Sequence, residues 1–346
     1  MAPTMADTTN ADSPASGPRI VTLTMNPALD IATSTDIVMP TEKMRCGSAR
    51  YDPGGGGVNV ARVAHALGAT VLALFPAGGA SGDLVTEMLE AAGLPSRRIP
   101  IAEPTRESFT VNERRTERQF RFVLPGPVLS TAEQEDCLDQ LRSVASTADY
   151  VVASGSLPPG VSPDFYNRIA DVCARADTRL ILDASGSALR HLTGGTVFLL
   201  KPSVRELREC LGYELRDEAE QVAAARQLIQ RGFARNVLVS VGSQGAFLVT
   251  ADGAQRYPAV VVPPGSGVGA GDAMVAGIVC ALSRGWPLSK AVRFGIAAGA
   301  AMLMTPGTAS CTRADVERLF DVTPEPIDLT AGQPNRQRTR SPLPPP

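Results

Sequence analysis

Short apolar runs of strand length recur along the chain, separated by longer segments whose apolar residues fall at helical spacing. The runs lie at 20–25, 71–75, 150–153, 180–183, 197–200 and 237–241, with a further one at 257–262. Runs this continuously apolar belong to strands covered on both faces, and the helical segments between them supply the crossovers that parallel strands need. The order predicts an α/β fold: a doubly wound, mostly parallel sheet with helices on both faces. Two stretches break the alternation, 31–52 and 97–124. Within the second, 108–112 and 119–123 are extended segments around a polar turn at 114–117, and the two stretches together are expected to pair as a small separate β-sheet, a lid. The segment 1–18 is rich in Ala, Thr, Ser and Asp. The segment 324–346 holds seven prolines and three arginines with few apolar residues. Both are expected to be disordered tails around one domain at 19–323.

Candidate chemistry concentrates where glycines sit between a strand-like and a helix-like run. Gly-Val-Gly-Ala-Gly-Asp at 267–272 precedes an apolar helix pattern at 273–282. N–H groups at a helix start carry partial positive charge, glycines let a phosphate approach the backbone, and Asp272 beside them can take a proton from an attacking hydroxyl. The string equally suits a turn that packs a helix tightly on a sheet. A second cluster, Gly54, Gly55, Gly56 and Gly57, precedes a helix whose apolar stripe includes Val60, Val63, Ala64 and Leu67, with Asn59 in its first turn. Four consecutive glycines are entropically costly and suit either a ligand-contacting backbone or a hinge.

Composition narrows the field. The chain has 346 residues, 44% hydrophobic and 20% charged, with net charge −2. That is enough for one large domain and gives no electrostatic case for nucleic acid or an anionic membrane, so a small ligand is the expected partner. There is no transmembrane stretch, and no basic region followed by an apolar one at the start, which predicts a cytoplasmic protein. The six cysteines lack Cys-x-x-Cys spacing and read as reduced and structural. The two histidines, His65 and His191, lack metal-ligand spacing, so carboxylates must carry any acid–base work. Only three of the 33 basic residues are lysines, Lys43, Lys201 and Lys290. The first two fall in candidate site segments, and Lys290 reads as an ordinary helix residue.

Six segments then share one order and spacing: Met-Asn-Pro-Ala-Leu-Asp at 25–30, Lys-Met-Arg-Cys at 43–46, Gly-Gly-Gly-Gly-Val-Asn-Val-Ala-Arg at 54–62, Ser-Gly-Ser-Leu-Pro-Pro-Gly at 154–160, Lys-Pro-Ser-Val-Arg-Glu at 201–206 and Gly-Ala-Gly-Asp at 269–272. Together, over about 19–320, they resemble the ribokinase-like carbohydrate kinases, specifically the phosphofructokinase-B branch that contains the minor bacterial 6-phosphofructokinases. The resemblance implies a cytoplasmic, ATP-dependent phosphosugar kinase that phosphorylates fructose 6-phosphate at its 1-hydroxyl. Asp272 would be the base, and the N–H groups of Gly269, Ala270 and Gly271 would hold the developing charge. It further implies sugar contacts from Asp30, Gly55, Gly56 and Asn59, and contacts to the substrate's phosphate from Lys43, Arg45 and Arg106, with Ser156 also on the substrate. ATP contacts would come from Lys201, Glu206, Ser240, Gly242 and Gly245, with residues around 298–307 bordering the adenine. Mg²⁺ would be held by Glu206 through water, K⁺ would sit at Ser266 and Val268, and the protein would be a homodimer through the lid.

Two departures from the family pattern stand out. Its usual Asn-x-x-Glu reads Ser203-Val-Arg-Glu206, and its usual Thr two residues before Gly269 is Gly267. Both leave the base in place. The alternatives with the same mechanism are 1-phosphofructokinase and tagatose-6-phosphate kinase. A non-catalytic sugar-phosphate sensor is disfavoured by Asp272, and a dinucleotide-dependent oxidoreductase by the lack of any glycine at 25–30 after the first strand.

Overall fold

The computed structural model describes residues 19–184, 186–194, 196–263, 268–305 and 310–329. The chain begins with β1 (Ile20–Leu23), β2 (Ala28–Thr35), β3 (Arg50–Gly54), α1 (Gly56–Ala66), β4 (Val71–Ala77), α2 (Gly79–Ala91), β5 (Ser96–Pro100), β6 (Arg106–Glu113) and β7 (Gln119–Val123). It continues through α3 (Thr131–Ala145), β8 (Tyr150–Gly155), α4 (Phe165–Arg175), β9 (Arg179–Ala184), α5 (Gly186–Leu189), β10 (Val197–Leu200), α6 (Val204–Leu211), α7 (Glu218–Gln230) and β11 (Asn236–Ser240). It closes with β12 (Ala246–Val249), β13 (Ala254–Tyr257), α8 (Ala270–Ser283), α9 (Leu288–Leu303), α10 (Arg313–Val322) and β14 (Ile327–Asp328).

Ten strands form one sheet in the order β14-β13-β12-β11-β10-β9-β8-β1-β4-β5, and β3-β2-β6-β7 form a second. From β5 to β11 every pairing in the large sheet is parallel. Its strands are apolar throughout because both faces are covered, as in β1, where all four residues are buried. One face packs against α1, α2, α8, α9 and α10, the other against α3 to α7. The expected doubly wound, mostly parallel architecture with a small second sheet is the observed one.

Four details differ from the sequence reading. The parallel part ends at β11, after which β12, β13 and β14 add an antiparallel edge. The apolar run at 257–262 is strand only at its first residue. Pro258 stops the ladder, since proline has no N–H to donate, and the remaining residues run along a cleft wall. Residues 96–100 pair with β4 in the large sheet, so the small sheet takes up the chain only at Arg106. Residues 324–329, expected in a tail, are tied to the body: Arg293 donates to Thr323 O at 2.6 Å and pairs with Glu325 at 2.6 Å, and β14 zips onto β13.

In the small sheet, β2 pairs antiparallel with β3 and parallel with β6, which pairs antiparallel with β7. Asp30 therefore stands opposite Asp52 on one side and Ser108 on the other, with Arg121 two pairs further along, opposite Thr110. This sheet stands over the carboxyl ends of β1 and β8, where open α/β sheets bind their ligands.

Candidate active site

The start of α8 is the geometric centre of the site. Gly269 caps the helix in the left-handed region at φ 79°, a conformation costly for any residue with a Cβ. The Ala273 N–H makes the first helical hydrogen bond, to Gly269 O at 2.8 Å, so the N–H groups of Ala270, Gly271 and Asp272 precede the helical ladder. From Ala273 onward the helix is apolar and buried, which fixes this end rigidly against the sheet. Asp272 sits in the first turn. Burial, reinforced by the nearby Asp183 carboxylate, pushes its carboxyl up to about 7, against the opposing pull of Asn59, Lys201 and Ser154. Asn59 Nδ2 donates to Asp272 Oδ2 at 2.9 Å. A carboxyl poised near neutrality is matched to taking a proton from an alcohol as the alcohol attacks.

The four-glycine turn brings the remaining walls together through close approach. A Cβ on Gly54 would stand 2.2 Å from Asp30 Oδ2, and one on Gly56 would stand 2.4 Å from Ser154 Oγ. Only glycines let β3 and the start of α1 pass between these side chains. The ligand-contact and hinge readings of this cluster thus meet in one segment, for it joins the small sheet to the body and also lines a cavity.

That cavity, of about 330 Å³, is bounded by the small sheet on one side and the starts of α1 and α8 on the other. Of the sequence-derived sugar residues it gathers Asp30, Gly55, Gly56, Asn59 and Arg106, together with Gly269 and Asp272. Burial raises the Asp30 carboxyl, and Arg106 and Arg121 pull it back. Arg106 is held by backbone carbonyls: Nε donates to Pro27 O at 3.3 Å, Nη1 to Leu124 O at 3.1 Å and Nη2 to Asn26 O at 3.1 Å. Of its five N–H donors two remain for an anion. Arg121, Ser108 and Thr110 also line the cavity and were missed in the sequence. The alternation Gln119-Phe120-Arg121-Phe122 carried the signal, since it puts Arg121 on the opposite side of β7 from both aromatic residues. Lys43 and Arg45 lie exposed on the connection between β2 and β3, outside this cavity. Ser156 follows β8 and accepts from Asn26 Nδ2 at 3.2 Å, also off the cavity wall.

On the other side of the α8 start lies a cleft of about 510 Å³. Ser240, Gly242 and Gly245 line it, as do Ala270 and Gly271 from α8 and Gly299, Ala300 and Leu303 from α9. The turn between β11 and β12 is both a hairpin turn and a cleft wall. Lys201, at the end of β10, forms a buried ion pair with Asp183 at 3.0 Å. Burial disfavours its charge, but the carboxylates of Asp183, Glu206 and Asp272 outweigh that and keep it protonated. Its Nζ lies 3.7 Å from where a Cβ on Gly271 would be, beside the backbone that precedes the helical ladder.

Ser203, in place of the family's amide, is the N-cap of α6. Its Oγ accepts from Glu206 N at 3.2 Å while Glu206 Oε2 accepts from Ser203 N and Oγ, each at 2.8 Å. A capping box thus fixes the Glu206 carboxylate in place. Among the described residues no group of three acidic, His or Cys side chains is gathered to hold a metal. Mg²⁺ carried on nucleotide phosphates keeps several water ligands and needs no such cluster. Val268 lines the cavity beneath the small sheet, whereas Ser266 and Gly267 fall outside the described residues.

The sequence matches the pfkB family of carbohydrate kinases over residues 23–315. The ATP-dependent 6-phosphofructokinase isozyme 2 of Mycobacterium tuberculosis (strain H37Rv) is 63% identical over 316 residues, covering 91% of this chain and 93% of that one. Its namesake from Escherichia coli (strain K12) is 36% identical over 303 residues, covering 87% and 98%. The crystal structure of phosphofructokinase-2 from Escherichia coli in complex with potassium superposes with a TM-score of 0.83 at 35% identity, covering 88% of this chain and 99% of that one. The match over 23–315 and the 63% identity to a relative covered almost end to end show the family in which this glycine-capped helix start lies between two cavities: the chain belongs to the pfkB family of carbohydrate kinases.

Proposed function

We propose that this protein transfers the γ-phosphoryl group of ATP to the 1-hydroxyl of fructose 6-phosphate, giving fructose 1,6-bisphosphate and ADP. One observation carries the reading: successive residues of the α8 start face different cavities. Gly269 and Asp272 line the charged one, and Ala270 and Gly271 line the apolar one. A sugar in the first and a nucleotide in the second meet at the same helix end, where phosphoryl transfer needs them in line.

In this reading Asp272 takes the proton of the 1-hydroxyl as its oxygen bonds to the γ-phosphorus and the bond to the ADP oxygen breaks. The N–H groups of Gly269, Ala270 and Gly271, with Lys201 beside them, hold the charge on the transferring phosphoryl oxygens. Asp30 and the backbone of Gly55 and Gly56 bind sugar hydroxyls. Arg106 and Arg121 meet the substrate's own phosphate, and Lys43 and Arg45 add positive charge from the connection between β2 and β3. Mg²⁺ bound to the ATP phosphates would neutralise charge there, with Glu206 ordering its water shell. K⁺ is assigned to the loop before α8, around Ser266 and Val268, in keeping with the potassium complex of the E. coli relative.

The lid sheet carries an apolar row across its four strands, Tyr51, Ile31, Phe109 and Phe122, of which Tyr51, Phe109 and Phe122 are exposed and Ile31 is half-buried against the core. A second copy covering that row gives a homodimer through the lid. No helix among the described residues is long and apolar enough to cross a membrane, in keeping with a cytoplasmic enzyme.

Steady-state assays with fructose 6-phosphate, fructose 1-phosphate and tagatose 6-phosphate side by side, with and without K⁺, test the assignment. The highest kcat/KM is expected with fructose 6-phosphate, and a preference above tenfold for fructose 1-phosphate overturns it.

A further inference from the structure

Asn59 lines the sugar cavity, yet its Nδ2–H points at protein: it donates to Asp272 Oδ2, joining residues 213 positions apart in sequence. Ser154, at the end of β8, lies close enough to the same carboxyl to favour its ionised form. Its own side is sealed, because Ser154 is buried and Gly56 passes close enough that a Cβ there would strike its Oγ. Three elements of the body, α1, β8 and α8, thus converge on one carboxyl, and none of them belongs to the lid.

We propose that Asn59, with Ser154, is a positioning residue for the base: it fixes the rotation of the Asp272 carboxyl and stabilises its ionised form, besides any contact its Oδ1 makes with the sugar. The inference rests on Asp272 being the base. A carboxyl turns about its last torsion in a broad, nearly two-fold well, so without a directional donor its two oxygens are interchangeable. A donor held on one oxygen removes that symmetry and leaves the remaining lone pairs toward the cavity. A hydrogen bond to the charged form also lowers proton affinity. It acts here alongside Lys201, which favours ionisation, and Asp183, which opposes it, while Asp30, Arg106 and Arg121 face the carboxyl across the cavity. The base therefore stays usable at neutral pH despite its desolvation.

The experiment compares the full-length protein with its Asn59→Ala, Asn59→Asp and Ser154→Ala variants. It measures kcat against pH at saturating ATP and fructose 6-phosphate, and the titration of the Asp272 carboxyl by ¹³C NMR in the substrate-free protein. Asn59→Ala is expected to move the acid limb and the carboxyl midpoint up by about one pH unit, so that kcat at pH 6 falls roughly tenfold further than kcat at pH 9, where only the lost orientation of the carboxyl lowers it. Asn59→Asp is expected to move both further, through like charge, and Ser154→Ala to move them the same way by less. A raised KM for the phosphosugar with limb and midpoint unmoved makes Asn59 a sugar contact only and overturns the proposal. If the wild-type protein turns over no phosphosugar, it is the function reading that fails, and the NMR midpoints still decide whether Asn59 and Ser154 tune the carboxyl.

Discussion

The two cavities that meet at the α8 start are built from opposite materials. The side read as the sugar site adds four charged side chains, Asp30, Arg106, Arg121 and Asp272, to an apolar lining that includes Ile31, Phe109 and Phe122. The nucleotide side is walled by backbone at Gly242 and Gly245 and by Val260, Val262, Met274, Ile296 and Leu303. A polyol phosphate offers hydroxyls and charge that directional groups can read, and an analogue lacking one of them leaves a buried partner unmatched, so such a wall discriminates sharply. An adenine ring offers mainly area, which an apolar slot holds without sharp discrimination between rings. Substitutions on the two sides should therefore differ in size and in the kinetic constant they move.

The largest effect belongs to the residue shared by both sides. Asp272→Asn keeps the shape and removes the proton acceptor, so kcat is expected to fall by about 10² or more with little change in either KM. Near-normal kcat in that variant would remove the base from the account. The same change should stabilise the protein. The native carboxyl, at about 7, binds its proton more tightly than in the unfolded chain, where it returns to 3.8, so stability is lost as pH rises between those values. At pH 8 the full difference is about 4 kcal/mol. The carboxyl keeps part of its surface open to the cavity, and solvent screening brings the gain expected in denaturant unfolding to about 2 kcal/mol. That gain should vanish near pH 3. For wild type the same ionisation sets the acid limb of kcat near pH 7, with activity falling tenfold per unit below it. A limb below pH 5 would mean that substrates reverse the desolvation.

Next in size is the sugar wall. Arg106→Ala removes a guanidinium that both faces the cavity and ties Asn26, Pro27 and Leu124 together. KM for fructose 6-phosphate is expected to rise about 10- to 100-fold with KM for ATP steady, on the scale of one charge-assisted hydrogen bond. An unchanged KM would move the phosphate to Arg121 or to the exposed Lys43 and Arg45.

The same contrast explains what could be read from the sequence. Parallel strands were legible because burial on both faces leaves unbroken apolar runs, and Asp272 because a glycine-rich strand-to-helix junction marks it, whereas Asp30 and Arg106 came only with the family resemblance. The antiparallel edge β12 to β14 was missed, since two four-residue strands leave only brief patterns and β14, two residues long, joins them from beyond α10. Pro258 hid inside an apolar run that read as strand although it ends one. Arg121 was passed over because its role depends on register: the local alternation gives its side of β7, and only the pairing of β7 with β6 puts that side over the cavity. The double duty of Asn59 depends on α1 meeting α8, a contact between residues far apart in the chain.

The nucleotide wall sharpens the comparison with the smallest effect. Leu303, at the end of α9, offers apolar area to the cleft and no directional contact. Leu303→Ala should raise KM for ATP by about 5-fold, the scale of about 1 kcal/mol of lost apolar burial, with kcat and KM for fructose 6-phosphate unchanged. Because area does not distinguish one base from another, the variant should weaken ATP and GTP by similar factors, read from parallel titrations of both nucleotides. A selective loss of ATP alone would show that this wall recognises the ring by direction, and the division between a side-chain-read sugar site and an area-read nucleotide site would no longer hold.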